Sequence, residues 1–255
     1  MSGLEGYIYY DKPIPYKDLM IYPALMSEYI DFHWAVTSLL LDKNSTPDVK
    51  VISMTYLSYL YYLVSNNEGE PYLAMLKYLL LLILHINVKE ENRITFYEDA
   101  NGKALFSIDG KEYDNDDLMN IKRIVFEQNC INDIDESIQK EVRDAMEKAE
   151  EYRMQQNANK MCSLEDQMIC VSISSPYKLE EIYKLTIRKF SKMLQRIDHK
   201  LHYQIYLSAE LSGMVEFKDK NSLVHWMNDL TNKDIYQSSK IDMNDMNKKI
   251  NDLNR

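Results

Sequence analysis

The feature that most constrains this chain is an apolar run from Leu73 to Ile86, centred on Leu79-Leu80-Leu81-Leu82-Ile83-Leu84. Such a run must be removed from water, and its length says how. A membrane-spanning helix needs about 18 or more consecutive apolar residues. This run has 14 residues and is interrupted by Lys77 and His85. It therefore reads as a buried core helix, and no membrane partner is expected. A helix apolar on most faces needs other elements around it, which asks for a multi-helix body.

The rest of the chain supplies that body. Only six glycines and six prolines occur in 255 residues, which disfavours many-stranded β-sandwiches and glycine-rich nucleotide folds. Residues 7–22 read as extended, with Leu19–Tyr22 a short strand. Ser27 is the expected N-cap of a helix running to Leu41. Thr46 and Pro47 are expected to open a second helix reaching Val64. Asn66-Asn67-Glu68-Gly69 breaks it, and a third helix spans 71–86.

Residues 93–113 change period. Arg93–Tyr97 and Ala104–Ile108 alternate, with Asn101-Gly102 and Asp109-Gly110 as turns and Lys111–Tyr113 as a short third strand. Asp114 caps a helix over Asn115–Asn129. Residues 130–162 are polar, with a thinly apolar helix over 136–156 and a hinge at 157–160. Ser163 opens a short helix through Met168–Val171, and residues 179–183 form another turn or two. Thr186 caps the longest helix, where Ile187, Phe190, Leu194, Ile197 and Leu201 repeat at 3-4-3-4 spacing and Ile205 and Ala209 continue the stripe. Gly213 ends it. Met214–Phe217 reads as extended, and Ser222 starts a short helix through Leu223, Val224 and Trp226. The expected fold is mainly α, with a small β-hairpin or meander insert at about 93–113. The expected organisation is an N-terminal helical core (1–88), an acidic insert (89–160), a C-terminal helical segment (161–230) and a polar tail (231–255).

Charge narrows the partners. The net charge is −10, and residues 88–162 alone carry 11 basic and 18 acidic side chains, net −7. An acidic chain lacks the basic surface that phosphate contacts need, so no nucleic-acid partner is expected. The odd number of cysteines (Cys130, Cys162, Cys170) and the polar, tyrosine-rich start fit free thiols in a reducing cytoplasm.

Candidate chemistry is sparse. His199 and His202, beside Asp198, share a helix face and could begin a metal site, but no further ligand motif accompanies them. Surface histidines are the simpler reading. Cys162 and Cys170 match no zinc or redox spacing, and Cys170 reads as core. Asp31 and His33, next to Trp34, are two apart and do not face each other on a helix. Asp114, Asp116 and Asp117 lack the glycine and distant glutamate of a calcium loop and read as helix N-terminal charge. Lys184, Arg188, Lys192, Arg196 and Lys200 form a spiralling basic ridge. It reads as a solvated flank, or else as a docking surface for acidic protein such as the chain's own middle. Tyr56, Tyr59, Tyr61 and Tyr62 read as core packing, or as a protein-contact surface. No catalytic, cofactor-binding or metal-binding residue is assigned, and no cofactor is expected.

Two stretches carry a family resemblance. One is Pro13-Ile14-Pro15-Tyr16-Lys17-Asp18-Leu19-Met20-Ile21-Tyr22-Pro23, leading to Leu40-Leu41-Asp42-Lys43-Asn44 and Ile52–Leu60. The other is Leu185-Thr186-Ile187-Arg188-Lys189-Phe190, running through Arg196-Ile197-Asp198 to Ala209–Val215. This layout, over 13–63 and 163–218, resembles tail-assembly proteins of phages and prophages of low-GC Gram-positive bacteria, the chaperones encoded near the tape-measure protein. The resemblance implies a non-enzymatic helical protein that keeps the tape-measure helix soluble and recruits tail tube subunits in the host bacterial cytoplasm. It carries over no catalytic residue. Self-association is compatible with it. A structural virion protein of the tail or head–tail region is the alternative, and a metal enzyme built on His199 and His202 is a third reading. Action by surface fit excludes a ligand-sized cavity where three or more ionisable side chains converge.

Overall fold

The computed structural model describes residues 3–43, 48–66, 71–100, 102–133, 162–213 and 225–228, together with Ala145 and Lys148. The fold is mainly α, as the sequence implies, with two small antiparallel sheets, one of them the expected insert and the other not foreseen. The chain divides into two compact units, 1–194 and 195–255. The expected break at 67–69, the 136–156 helix, the 157–160 hinge, the 214–217 strand and the 231–255 tail lie outside the described residues. So do Thr46 and Pro47, and most of the helix after Ser222.

The first unit is built around the apolar run. It forms α5 (Tyr72–Ile83; numbering of helices follows chain order), burying Met75, Leu76, Leu79, Leu80, Leu81 and Ile83. Among the described residues, no helix is long and apolar enough to cross a membrane. Against α5 packs α2 (Tyr29–Val36), which buries Phe32, Ala35 and Val36. Ser27 does not cap this helix. Residues 26–28 form a 3-10 turn, and the Glu28 carboxylate accepts from the Leu25 N–H at 3.0 Å.

The expected second helix is two helices. Asp48 caps α3 (Val49–Ser53) by accepting from the Lys50 N–H. Met54 turns extended, and Thr55 then caps α4 (Tyr56–Ser65) by accepting from the Ser58 N–H at 3.3 Å. A side chain that hydrogen-bonds the backbone ahead of it offers an alternative to continuing the helix. Apolar periodicity alone cannot see that break.

Residues 7–22 are not uniformly extended. Glu5–Tyr9 is a short helix, α1, and β1 (Ile14–Tyr16) pairs with β2 (Leu19–Ile21) across a tight turn. The meander is as expected: β3 (Ile94–Glu98), β4 (Ala104–Ile108) and β5 (Lys111–Tyr113), in that order. It buries Ile94, Phe106 and Tyr113 and packs on α4 and α5. A sheet this small gains its stability from such support. Then α6 (Asn115–Asn129) opens with a reciprocal cap: Asp114 accepts from the Asp116 and Asp117 N–H groups, and Asp117 accepts from the Asp114 N–H.

Gly-poor sequence leaves a mark on the helix ends. In α5, His85 takes a left-handed conformation (φ 53°) while the Ile86 N–H reaches the Leu81 carbonyl. In α6, Cys130 (φ 57°) does the same, with the Ile131 N–H on the Phe126 carbonyl. These are glycine positions of Schellman-type caps, filled here by side-chain residues.

The last elements are α7 (Leu164–Ser174), α8 (Leu179–Ile182) and α9 (Ile187–Leu211). In the first unit, residues 24–27 exchange backbone hydrogen bonds with 183–187 as an isolated bridge. Thr186 caps α9 as expected, accepting from the Lys189 N–H at 3.2 Å, and its hydroxyl donates to Asp11. Gly213, at φ 70°, follows the end of α9.

Candidate functional site

Two surfaces stand out: one face of α9, and a cleft between α2 and α5. Their chemistry follows from what each predicted side chain touches.

The apolar stripe of α9 is buried only at its start. Ile187 and Phe190 are in the core of the first unit. In the second unit, Leu201 is 53% exposed and Ile205 62%. A 3-4 apolar stripe on a helix is the surface that another helix covers, and exposed apolar residues in a row mark interaction sites. The basic ridge along this helix is divided among separate partners. Arg188 donates to the Glu127 carbonyl at the end of α6, at 3.0 Å, and to Cys130. In the second unit, Arg196 donates to the carbonyls of Trp226 and Asn228 at 2.6 and 2.7 Å, and Lys200 lies 5.8 Å above the Trp226 ring. Cations that satisfy carbonyls serve the fold first. Of the chain's acidic middle (88–162), named as a partner for this ridge, residues 88–100 and 102–133 are described, and Arg188 meets it at Glu127 and Cys130.

His199 and His202 do share α9. His202 Nδ1 lies 3.3 Å from Asp198 Oδ2, one turn away, and its ring stacks on Tyr206. Among the described residues there is no group of three or more side chains placed to hold a metal. Cys170 is not in the core. It is exposed, as are Cys130 and Cys162, while Met168 and Val171 take the buried face of α7. The run Met168–Ile173 is apolar on nearly every side, so spacing could not say which face would turn inward.

Of the four tyrosines, Tyr56 and Tyr59 are buried and Tyr61 and Tyr62 half-buried. The Tyr56 hydroxyl donates to the Ser38 carbonyl and accepts from the Leu41 N–H. The Tyr61 hydroxyl has no partner among the described residues, and burial pushes it up to about 12. This cluster packs the core. Asp117 does more than cap α6. It accepts from the Tyr16 hydroxyl at 2.6 Å and pairs with Lys17 at 2.5 Å. Burial acts to raise its carboxyl, but Lys17, Tyr16 and the Asp114 N–H outweigh that and hold it low.

The cleft was not foreseen. About 490 Å³ in volume, it is lined by Leu25, Glu28, Asp31, Tyr78, Leu81, Leu82, His85, Ile86, Asn87 and Val88. Four of these are ionisable, so the expectation that no cavity gathers three fails. Burial, and then the Asp31 carboxylate beside it, pushes the Tyr78 phenol up. His85 stacks on Tyr22 with ring centroids 3.9 Å apart. Trp34 meets Tyr78 edge-on at 5.9 Å. Neither Glu28 nor Asp31 pairs with a lysine or arginine among the described residues. His33 stacks on Tyr29 and stands apart from Asp31's role in the cleft. The groups come from residues 25–31 and 78–88, about 50 positions apart, and no local motif joins them.

Comparison with known proteins places part of the chain. No curated protein and no solved structure matches it. Residues 154–231 match the family model described as the YomV second domain. That description states no activity and no partner. The matched stretch overlaps the second stretch of the tail-assembly resemblance, 163–218, and is under a third of the chain. Residues 154–231 are thus similar to a phage-associated domain.

Proposed function

We propose that, although the cleft between α2 and α5 gathers four ionisable groups, this chain is a non-enzymatic phage assembly factor, and specifically a tail assembly chaperone that sequesters a long helical client; in the cleft Glu28 is engaged by the Leu25 N–H and His85 by the Tyr22 ring. The exposed apolar face of α9 carries the proposal, with Leu201 and Ile205 more than half open to solvent. A helix whose 3-4 stripe is exposed at Leu201 and Ile205 suits helix-to-helix docking with a client bearing its own stripe. The phage-associated match covers this helix. The tape-measure protein is the client that the family resemblance names, tail tube subunits are the second partner, and the host cytoplasm is the place of action.

The test is co-expression with the tape-measure protein of the same genome. The wild-type chain should keep that protein soluble, and a Leu201→Glu, Ile205→Glu double variant should not. A tape-measure protein that aggregates equally with and without the wild-type chain overturns the proposal. Stoichiometric presence of the chain in purified particles overturns it in favour of a structural virion protein.

A further inference from the structure

We propose that the cleft between α2 and α5 is a second protein-binding site, one that receives an arginine side chain projecting from a partner. This goes beyond the chaperone reading and does not use the α9 face. Three observations converge on it.

The first is charge. Glu28 and Asp31 sit one turn apart at the start of α2 and both face the cleft. Neither has a cationic partner among the described residues. Elsewhere in the first unit, Asp18, Asp109, Asp114 and Asp117 each hold a lysine or arginine. Glu28 accepts from the Leu25 N–H and Asp31 lies against the Tyr78 phenol, but two carboxylates lining one cleft without a cation among the described residues make a local field that favours one.

The second is shape. Beside the carboxylates the cleft is lined by the aliphatic side chains of Leu25, Leu81, Leu82 and Ile86. A free inorganic cation gains nothing from such walls. A cation on a methylene stem buries the stem against them and leaves its head at the carboxylates. The cleft lies at the surface, where Asp31 and His85 are exposed, so a side chain can enter from outside.

The third is the aromatic rim. Tyr78 lines the cleft, and Trp34, 46% exposed, stands edge-on to it. A guanidinium is planar, weakly hydrated, stacks on aromatic faces and bonds carboxylates in a fork. An ammonium is more strongly hydrated and lacks the fork. Exposed Trp34, in contact with the Tyr78 ring, supplies apolar contact for a residue that flanks the arginine, which fits a peptide rather than a free small molecule.

The experiment uses the full chain and two-dimensional NMR, following the His85 ring and the Trp34 indole. The probes are acetyl-Leu-Arg-Leu-amide, the same tripeptide with citrulline or with lysine in place of arginine, and butylguanidinium. The arginine peptide should shift both signals in a saturable way. Citrulline, isosteric but neutral, should bind about tenfold more weakly, since a charge-assisted hydrogen bond is lost. Asp31→Asn and Glu28→Gln should each weaken the arginine peptide about tenfold. Glu28→Gln keeps an acceptor for the Leu25 N–H, and unchanged amide dispersion in either variant verifies the fold. Equal binding of arginine and citrulline, or unchanged binding in both variants, overturns the proposal. A lysine peptide that binds as well as the arginine peptide overturns the assignment to arginine. Butylguanidinium binding more tightly than the peptide overturns the protein source and assigns the cleft to a free small cation.

Discussion

The Tyr113 hydroxyl donates to Asp18 Oδ1 at 2.7 Å across 95 residues of chain. Asp18 stands in the turn of the β1–β2 hairpin, and Tyr113 ends the meander. Lys111 approaches the other carboxylate oxygen at 2.5 Å. The two small sheets, each marginal alone, are thereby latched together. Lys111 first, and then Tyr113, hold the Asp18 carboxyl down at about 2.

That latch gives a pH signature. A carboxylate whose folded pKa lies below its ordinary value of 3.8 contributes its full stabilisation above that value, and loses it as pH falls towards 2. Asp109, Asp114 and Asp117 are held low as well, so wild-type Tm should fall across the same window. Asp18→Asn should lower Tm at pH 7, and the gap to wild type should narrow by pH 2.5. Thermal melts at stepped pH measure both. A gap that stays constant with pH refutes the latch.

Asn129 should matter more than its position at a helix end suggests. It is 2% exposed. Its amide donates to the Val125 carbonyl at 2.8 Å, and its oxygen accepts from the Ala24 N–H at 3.1 Å, fixing the strand-like 24–27 segment to α6. Asn129→Ala would leave that N–H unsatisfied in the interior, at a cost of about 1–3 kcal/mol. Urea denaturation should show a lower midpoint at an unchanged slope.

Replacing a side-chain residue by glycine normally destabilises, but Cys130→Gly should do the reverse. At φ 57° an L-residue pays about 1–2 kcal/mol. Glycine removes this and costs about 0.5–1 kcal/mol in the unfolded chain. The weak contact from Arg188 to the sulfur is lost, but Arg188 keeps the Glu127 carbonyl. A net gain of several tenths of a kcal/mol is expected, read as a raised Tm. A lowered Tm would mean that the thiol contributes more than the strain costs.

Elements with a strong local signature were legible. The alternation at 93–113, the Asp114 cap and the 3-4 stripe opened by Thr186 each lie within a few residues of one another, and each element forms where its pattern stands. Breaks made by one side chain were not. Thr55 divides a continuous apolar pattern into α3 and α4, and Glu28, not Ser27, satisfies the N–H at the start of its turn. The uniform run at Met168–Ile173 hid which way Cys170 would face. The cleft left no motif because its walls come from two segments far apart in the chain; His85, which interrupts the end of the apolar run, was its one mark.

Sequence by itself determined that a 14-residue apolar run would be buried, that helices would surround it and that a small meander would need their support. Tertiary structure alone decided that the α9 stripe is covered at Phe190 and open at Leu201, and that two carboxylates would meet a leucine-walled cleft with no lysine or arginine beside them among the described residues. The reason is physical. Burying apolar surface depends on pattern and length, which a chain carries locally. Whether a given face or charge finds its complement depends on which distant segment arrives beside it.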